Sequence, residues 1–131
     1  NILKSIKNNK HFAVFGSDYK TTDGTAMRDF VHVMDIARGH IDALNYLSKN
    51  KKDITCNLGS GKGTTVLQMI KNFEKQTGKT IKVKFYKARV GDAEKSYACI
   101  KKAEKELKWK PIYSLSDISS TSFRWFQNNN K

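Results

Sequence analysis

Asp53-Ile54-Thr55-Cys56-Asn57-Leu58-Gly59-Ser60-Gly61-Lys62-Gly63-Thr64-Thr65-Val66 is the stretch that decides the fold class. Residues 53–58 predict a strand, and the glycine-rich residues 59–63 predict a loop. Thr64 or Thr65 is placed to cap a helix, because a hydroxyl can accept from the orphan amides of the first turn. Val66, Ile70 and Phe73 give that helix its apolar stripe, and Gly78 stands where a left-handed cap ends it. Strand, tight loop and helix in this order predict an α/β chain.

The same alternation runs outward in both directions. Upstream, Phe12-Ala13-Val14-Phe15 reads as a strand closed by Gly16-Ser17-Asp18, and residues 17–27 are turn-rich around Asp23-Gly24. Phe30-Val31-His32-Val33 reads as a second extended piece, and Asp35 can open a helix with Ile36, His40, Leu44 and Leu47 along one face. Gly39 inside that helix costs about 1 kcal/mol against alanine, so close packing by a neighbour is expected there. Downstream, Ile81, Val83 and Phe85 alternate with lysines in a half-buried strand, and residues 101–109 predict a short helix. Ser114-Leu115-Ser116-Asp117 resembles a capping box opening the last helix, on which Ile118, Ser122, Trp125 and Phe126 share a face. The expected organisation is a single portion, 1–131, with a frayed asparagine-rich tail at 127–131 and no internal repeat.

Composition narrows the function classes. The 131 residues carry 25 Lys and Arg against 12 Asp and Glu, a formal charge of +13, with 38% apolar residues. That apolar share suffices for a core and argues against disorder. No apolar run exceeds four residues, far below the roughly 20 a membrane helix needs, so no membrane partner is expected. A start at Asn1, with lysines at positions 4 and 7, does not read as a secretory signal and suggests a piece of something longer. Cys56 and Cys99 have no paired or metal-ligand spacing, so buried free thiols and a cytoplasmic setting are expected. His11, His32 and His40 are too scattered to predict a metal site. The lysines spread through nearly every segment, which predicts a solvated surface and salt-sensitive sticking to polyanions, with no specific nucleic-acid partner.

Three local patterns invite chemistry. The loop at 59–63 follows a strand and opens a helix, the setting in which amides hold phosphate, yet it lacks P-loop spacing and the third glycine of the dinucleotide fingerprint. A structural turn fits it as well as a phosphate cradle does. Tyr97 and Lys101 match Tyr-x-x-x-Lys, but Gly91-Asp92 and the β-branched Ile100 give little support for the single helix that chemistry requires, and a chance match is expected. Only four arginines occur, and Arg28 and Arg89 stand at strand ends, where two planar forks could clamp one diphosphate or form salt bridges.

Longer blocks carry a resemblance. Phe12-Ala13-Val14-Phe15-Gly16-Ser17-Asp18-Tyr19 and Asp23-Gly24-Thr25-Ala26-Met27-Arg28-Asp29-Phe30-Val31-His32-Val33-Met34-Asp35 resemble the carboxy-terminal part of the UDP-glucose (UDP-galactose) 4-epimerases, extended short-chain dehydrogenase/reductases. Asn57-Leu58-Gly59-Ser60-Gly61-Lys62-Gly63, Arg89-Val90-Gly91-Asp92 and Glu106-Leu107-Lys108-Trp109-Lys110 continue the likeness in order. The resemblance implies the carboxy-terminal substrate-binding portion of a Rossmann-type fold without its amino-terminal NAD-binding part. It implies an NAD-dependent isomerase in galactose metabolism that inverts C4 of UDP-hexoses through a 4-keto sugar, dimeric when whole. The NAD and the catalytic tyrosine would belong to the amino-terminal part, so this chain alone is expected to be inactive. By the same resemblance, Ala13 and Phe15 lie beside uracil, Arg28 and Arg89 contact the diphosphate, Asp92 holds ribose hydroxyls and Val66 lines the nucleotide. Where some members carry a bulky tyrosine this chain has Ser96, which implies room for the N-acetyl group of UDP-GlcNAc and UDP-GalNAc. Cys99 replaces a usual acidic residue before the short helix, which weakens its cap. The alternatives are a UDP-glucuronate-type epimerase or a stand-alone basic anion-binding module. Truncation is expected to expose Val14, Phe30 and Ile54.

Overall fold

The computed structural model describes residues 1–129. Its elements are α1 (Ile2–Lys7), β1 (Phe12–Phe15), β2 (Met27–Arg28), α2 (Val33–Asn50), β3 (Thr64–Thr65), α3 (Val66–Thr77), β4 (Val83–Tyr86), a short π-helical turn (Ala103–Leu107) and α4 (Leu115–Asn129). The chain is α/β, as its alternating periods predict. β1 and β4 pair in parallel with Phe12 opposite Val83 and Phe15 opposite Tyr86. A parallel pair needs a crossover, and the intervening chain supplies it with α2 and α3. β2 is only two residues long and pairs antiparallel with β3, while Met27 also bridges Lys95 in parallel.

Two apolar clusters hold these elements. Val14, Met69, Ile70, Phe73 and Ile81 form the first, joined by Ile2 and Ile6 of α1 and Leu115 and Ile118 of α4. Trp109, Ala103 and Leu107 form the second, against Ala43 and Tyr46 of α2 and the side chains of Ile54, Cys56 and Leu58. α3 begins at Thr65, one of the two threonines expected to cap it, and a capping box completes the cap: Thr65 accepts from the amide of Gln68, and the Gln68 side chain accepts from that of Thr65. Gly78 ends it in the left-handed conformation. Ser114 and Asp117 form a reciprocal box before α4, with Ser114 N donating to Asp117 Oδ2 at 2.7 Å and Asp117 N to Ser114 Oγ at 3.2 Å. The helix then runs to Asn129, so residues 127–129 of the expected tail are helical, and residues 130–131 lie outside the described ones.

Several expectations change. The extended piece at 30–33 is displaced: the pairing strand is Met27–Arg28, and His32 caps α2 by accepting at Nδ1 from Met34 N at 3.1 Å. Asp35 is the third residue of that helix, within its first turn, and not its cap. The inward face of α2 is not the apolar stripe read from the sequence: Asp35 and Gly39 are buried, whereas Val33, Ile41 and Leu44 are exposed. Gly39 is there because a β-carbon would stand 2.5 Å from Leu58 Cδ1 and 3.2 Å from Trp109 Nε1. Residues 53–58 keep the alternation of a strand, with Ile54, Cys56 and Leu58 turned inward, yet among the described residues their backbone makes no hydrogen bond. A strand is defined by its ladder, and no neighbour among the described residues completes it. Val14 is buried in the first cluster and not exposed, and Cys99 is exposed because Ala98 and Ile100, on either side, take the inward positions.

Asp35 closes the second half of the fold. Its side chain is fully buried and accepts from Arg38 Nη1 at 2.7 Å, Ile112 N at 3.1 Å and Tyr113 N at 3.1 Å, while its carbonyl accepts from Trp109 Nε1 at 2.8 Å. Replacing it by alanine strands two amides and a guanidinium, so Asp35→Ala is expected to lower stability by about 3 kcal/mol, with Asp35→Asn costing less, as read by urea unfolding.

Candidate functional site

β1 and β4 build one half of the site. Ala13 and Phe15 are two apart on β1, so they face the same side. The Phe15 ring stacks on its cross-strand neighbour Tyr86, with centroids 5.5 Å apart, and the guanidinium of Arg89 lies 3.7 Å from the Phe15 centroid. Lys84 places its ammonium 5.4 Å from the Tyr86 ring. Ala13, Phe15 and Arg89 share a shallow cleft of about 420 Å³ with α1, whose Lys4 adds to its cationic rim. Tyr86 and Lys84 were not singled out from sequence; the signal is the register that sets Phe15 beside Tyr86, invisible before the parallel pairing is known.

β2 builds the other half. Met27 N donates to Glu94 O at 2.9 Å, and Ser96 N donates to Met27 O at 3.0 Å. Arg28 Nη1 donates to Ala93 O at 2.7 Å and to Met27 O at 2.8 Å, which fixes its guanidinium and leaves other N–H groups of its fork. The segment so held carries Ser96, and Asp92 just before it closes a turn to Arg89 through Asp92 N and Arg89 O, 3.1 Å apart. Val66 starts α3, donates its amide to Ala26 O at 3.1 Å and packs against the first cluster, outside the Phe15 cleft. The structure therefore gathers Ala13, Phe15 and Arg89 in one cleft and ties Arg28 and Ser96 to the segment leading from Asp92. A larger concavity, about 930 Å³ between Phe30, Tyr97 and Tyr113, is lined by none of these seven residues.

The glycine-rich loop is filled from within the chain. Ser60 N donates to Asp29 Oδ1 at 2.7 Å, the Ser60 hydroxyl donates to the same oxygen, and Ala98 N donates to Asp29 Oδ2 at 2.9 Å. Gly59 permits this approach, since a β-carbon there would collide with the Asp29 carboxylate and stand 2.8 Å from Ala98 Cβ. Gly61 and Gly63 are likewise covered, by Ile100 and by Met27 and Tyr97. A carboxylate thus occupies the place a phosphate would take, and the loop does not fit the pyrophosphate of a dinucleotide. The Tyr97/Lys101 pair does not share a helix, because Tyr97 precedes the helical residues that begin at Lys101. The following π-helical turn has no side-chain cap.

The family profile described as GDP-mannose 4,6 dehydratase matches residues 1–121. The chain belongs to this family. Within it, the chain is 49% identical over 119 residues to the bifunctional UDP-glucose 4-epimerase and UDP-xylose 4-epimerase 3 of Arabidopsis thaliana, covering 88% of this chain and 34% of that protein. It is 36% identical to the UDP-glucose 4-epimerase of Stenotrophomonas maltophila, solved with NAD and formylated UDP-arabinopyranose, with TM-score 0.93 over 99% of this chain and 40% of that one. The UDP-Glc/GlcNAc 4-epimerase of Campylobacter jejuni is 33% identical, with TM-score 0.86 over 97% of this chain and 39% of its own. The chain spans about a third of the length of the curated relatives it matches. Its fold is that portion of a Rossmann-type epimerase fold.

Asp23 anchors the site from behind. Burial alone would raise its carboxyl, but hydrogen bonds from the Thr25 and Thr65 hydroxyls and the Thr25 amide hold it below its ordinary value of 3.8. A depressed folded value stabilises the fold above the ordinary pKa, and the contribution is lost as pH falls through the folded value. Stability is therefore expected to fall on acidification below about pH 4. Asp23→Asn should be less stable at pH 7 and show a flatter acid limb, as read by urea midpoints between pH 7 and pH 3.

Proposed function

We propose that this chain is the UDP-gripping portion of an NAD-dependent UDP-glucose/UDP-galactose 4-epimerase, and that the rest of that enzyme supplies NAD and the proton-transferring tyrosine. The observation that carries the reading is the attachment of both arginines to one segment: Arg28 is bonded to Ala93 O, and Arg89 turns onto Asp92. Planar guanidiniums suit two-pronged contact with phosphate oxygens, and a carboxylate beside them suits a ribose diol. Arg89 lies over the Phe15 ring, so swinging it toward a diphosphate uncovers an aromatic face for uracil, with Ala13 alongside. Val66 borders the nucleotide from the start of α3. The division of labour is physical: an epimerase must let the sugar turn, so binding energy belongs on the UDP handle.

NAD is bound outside this chain in this reading, because the loop at 59–63 is closed by Asp29. When bound, NAD supplies reversible hydride acceptance; the residues here hold the nucleotide end of the sugar. The unpaired edge of residues 53–58, with the exposed Val33, Ile41 and Leu44 of α2, supports docking of the amino-terminal Rossmann part. Whole, the enzyme is a cytoplasmic homodimer in this reading. Ser96 supports acceptance of N-acetylated UDP-hexoses.

The test is interconversion of UDP-galactose and UDP-glucose by the intact enzyme, read by a coupled assay. Arg28→Ala and Arg89→Ala are each expected to raise KM about tenfold or more with smaller loss of kcat, since they remove grip common to ground and transition states. Ser96→Tyr is expected to abolish turnover of UDP-GalNAc while UDP-galactose still turns over. Absence of any UDP-hexose turnover by the wild-type enzyme would overturn the reading.

A further inference from the structure

Asp29 follows Arg28 in sequence, yet it is spent on the protein itself. Its carboxylate spans two segments that are otherwise remote in sequence: the loop at Ser60, through the amide and hydroxyl on Oδ1, and the chain at Ala98, through the amide on Oδ2. The absence of a side chain at Gly59 is what lets the three groups meet. The segment that carries Ser96 is therefore fastened at four points: Ala93 by Arg28, Glu94 and Ser96 by the backbone of Met27, and Ala98 by Asp29. Three of these lie at or before Ser96. Asp29 supplies the one beyond it, and without it the chain after Ser96 is held only from one side until Ile100 enters the second cluster.

We infer that Asp29 is a positioning residue that fixes the sugar-side wall at Ser96, and with it the choice among UDP-hexoses by the size of their C2 substituent. The inference rests on the proposed UDP-hexose reading. The chemistry of the side chain is specific. A carboxylate has two acceptor oxygens and no donor, so it satisfies Ser60 and Ala98 together. An amide at this position presents one oxygen and one NH2, so it faces one of these donors with another donor. Asparagine at position 29 thus keeps the volume and loses one of the two anchors. The diphosphate grip is little changed, because Arg28 is oriented by the carbonyls of Met27 and Ala93, neither of which Asp29 touches.

The experiment compares the intact wild-type enzyme with Asp29→Asn on UDP-galactose and UDP-N-acetylgalactosamine, with UDP as competitive inhibitor. The ratio of kcat/KM for the two substrates is expected to shift about tenfold while the inhibition constant of UDP changes less than about twofold. A general loss of structure would instead weaken both substrates and UDP together. A ratio within about twofold of wild type, or a parallel weakening of UDP, overturns the inference. If Asp29→Asn does not fold, Ser60→Ala, which removes the hydroxyl's bonds to Asp29 Oδ1 and to the Lys62 backbone, is read by the same ratio: a shift of about threefold or more supports the inference and an unchanged ratio overturns it. A wild-type enzyme inactive on every UDP-hexose overturns the functional reading and this inference with it, whereas an active wild type with an unmoved ratio overturns this inference alone.

Discussion

A carboxylate accepting from a distant stretch of chain is the interaction on which this structure depends, and it recurs at six-residue intervals. Asp23 takes the hydroxyl of Thr65 and so ties the turn before β2 to the start of α3. Asp29 takes Ser60 and Ala98. Asp35 takes the amides of Ile112 and Tyr113 and ties α2 to the chain that leads into α4. Between these anchors lies a strand of two residues, far too short to hold itself by its own ladder. Charge-assisted hydrogen bonds contribute roughly 1.5–3 kcal/mol each, so three such anchors can place a segment whose apolar contacts are few. The polar groups are not additions to a finished core. They connect two small clusters that share no buried residue.

The cost of that design appears in the binding edge. Residues 84–93 are all exposed, the Phe15 and Tyr86 rings stack on each other across the ladder, and Arg89 rests on Phe15. Segments with few buried contacts open at low free energy, and ligand-gripping loops are drawn from that end of the range. Arg28 is different: its guanidinium is bonded to two carbonyls before any ligand arrives. One arginine is thus set in advance and the other rests on an aromatic ring that a base could take over, so the two would contribute differently to binding under the proposed reading.

Much of this was legible from residue order, and the misses have physical causes. Phe12-Ala13-Val14-Phe15, a threonine cap at 64 or 65 and the Ser114–Asp117 box were readable because each is decided by near neighbours. The inner face of α2 was misread because burial there follows a carboxylate and a glycine, Asp35 and Gly39, which a search for apolar spacing passes over. The strand at 30–33 was displaced for a related reason: His32 is used as a cap, and an apolar run around it looked like a ladder. Of the candidate site, Arg28, Arg89 and Phe15 stand out in the sequence by residue type and place, whereas Tyr86 and Asp29 depend on register and on contacts 31 and 69 residues away. Nothing in local sequence encodes such distances.

Residues 53–58 show what the chain lacks for completeness. Their side chains alternate as a strand's do and three of them fill the second cluster, yet their backbone amides and carbonyls have no partner among the described residues. Each such group loses a hydrogen bond if buried unpaired, so the edge must face either water or another strand. Water is compatible with the polar Asp53, Thr55 and Asn57 on its outer positions, but not with the exposed valine, isoleucine and leucine along α2 as an isolated surface. A further strand would satisfy the edge, and a layer over α2 would cover its apolar face, which is the arrangement a doubly wound sheet provides. The half of the fold built around Val14 has its buried apolar cluster within this chain, and that half bears the Phe15 cleft. The Phe15 side of the proposed grip on UDP therefore rests on that cluster, and the open edge and the apolar face of α2 are the surfaces where the rest of an epimerase would dock.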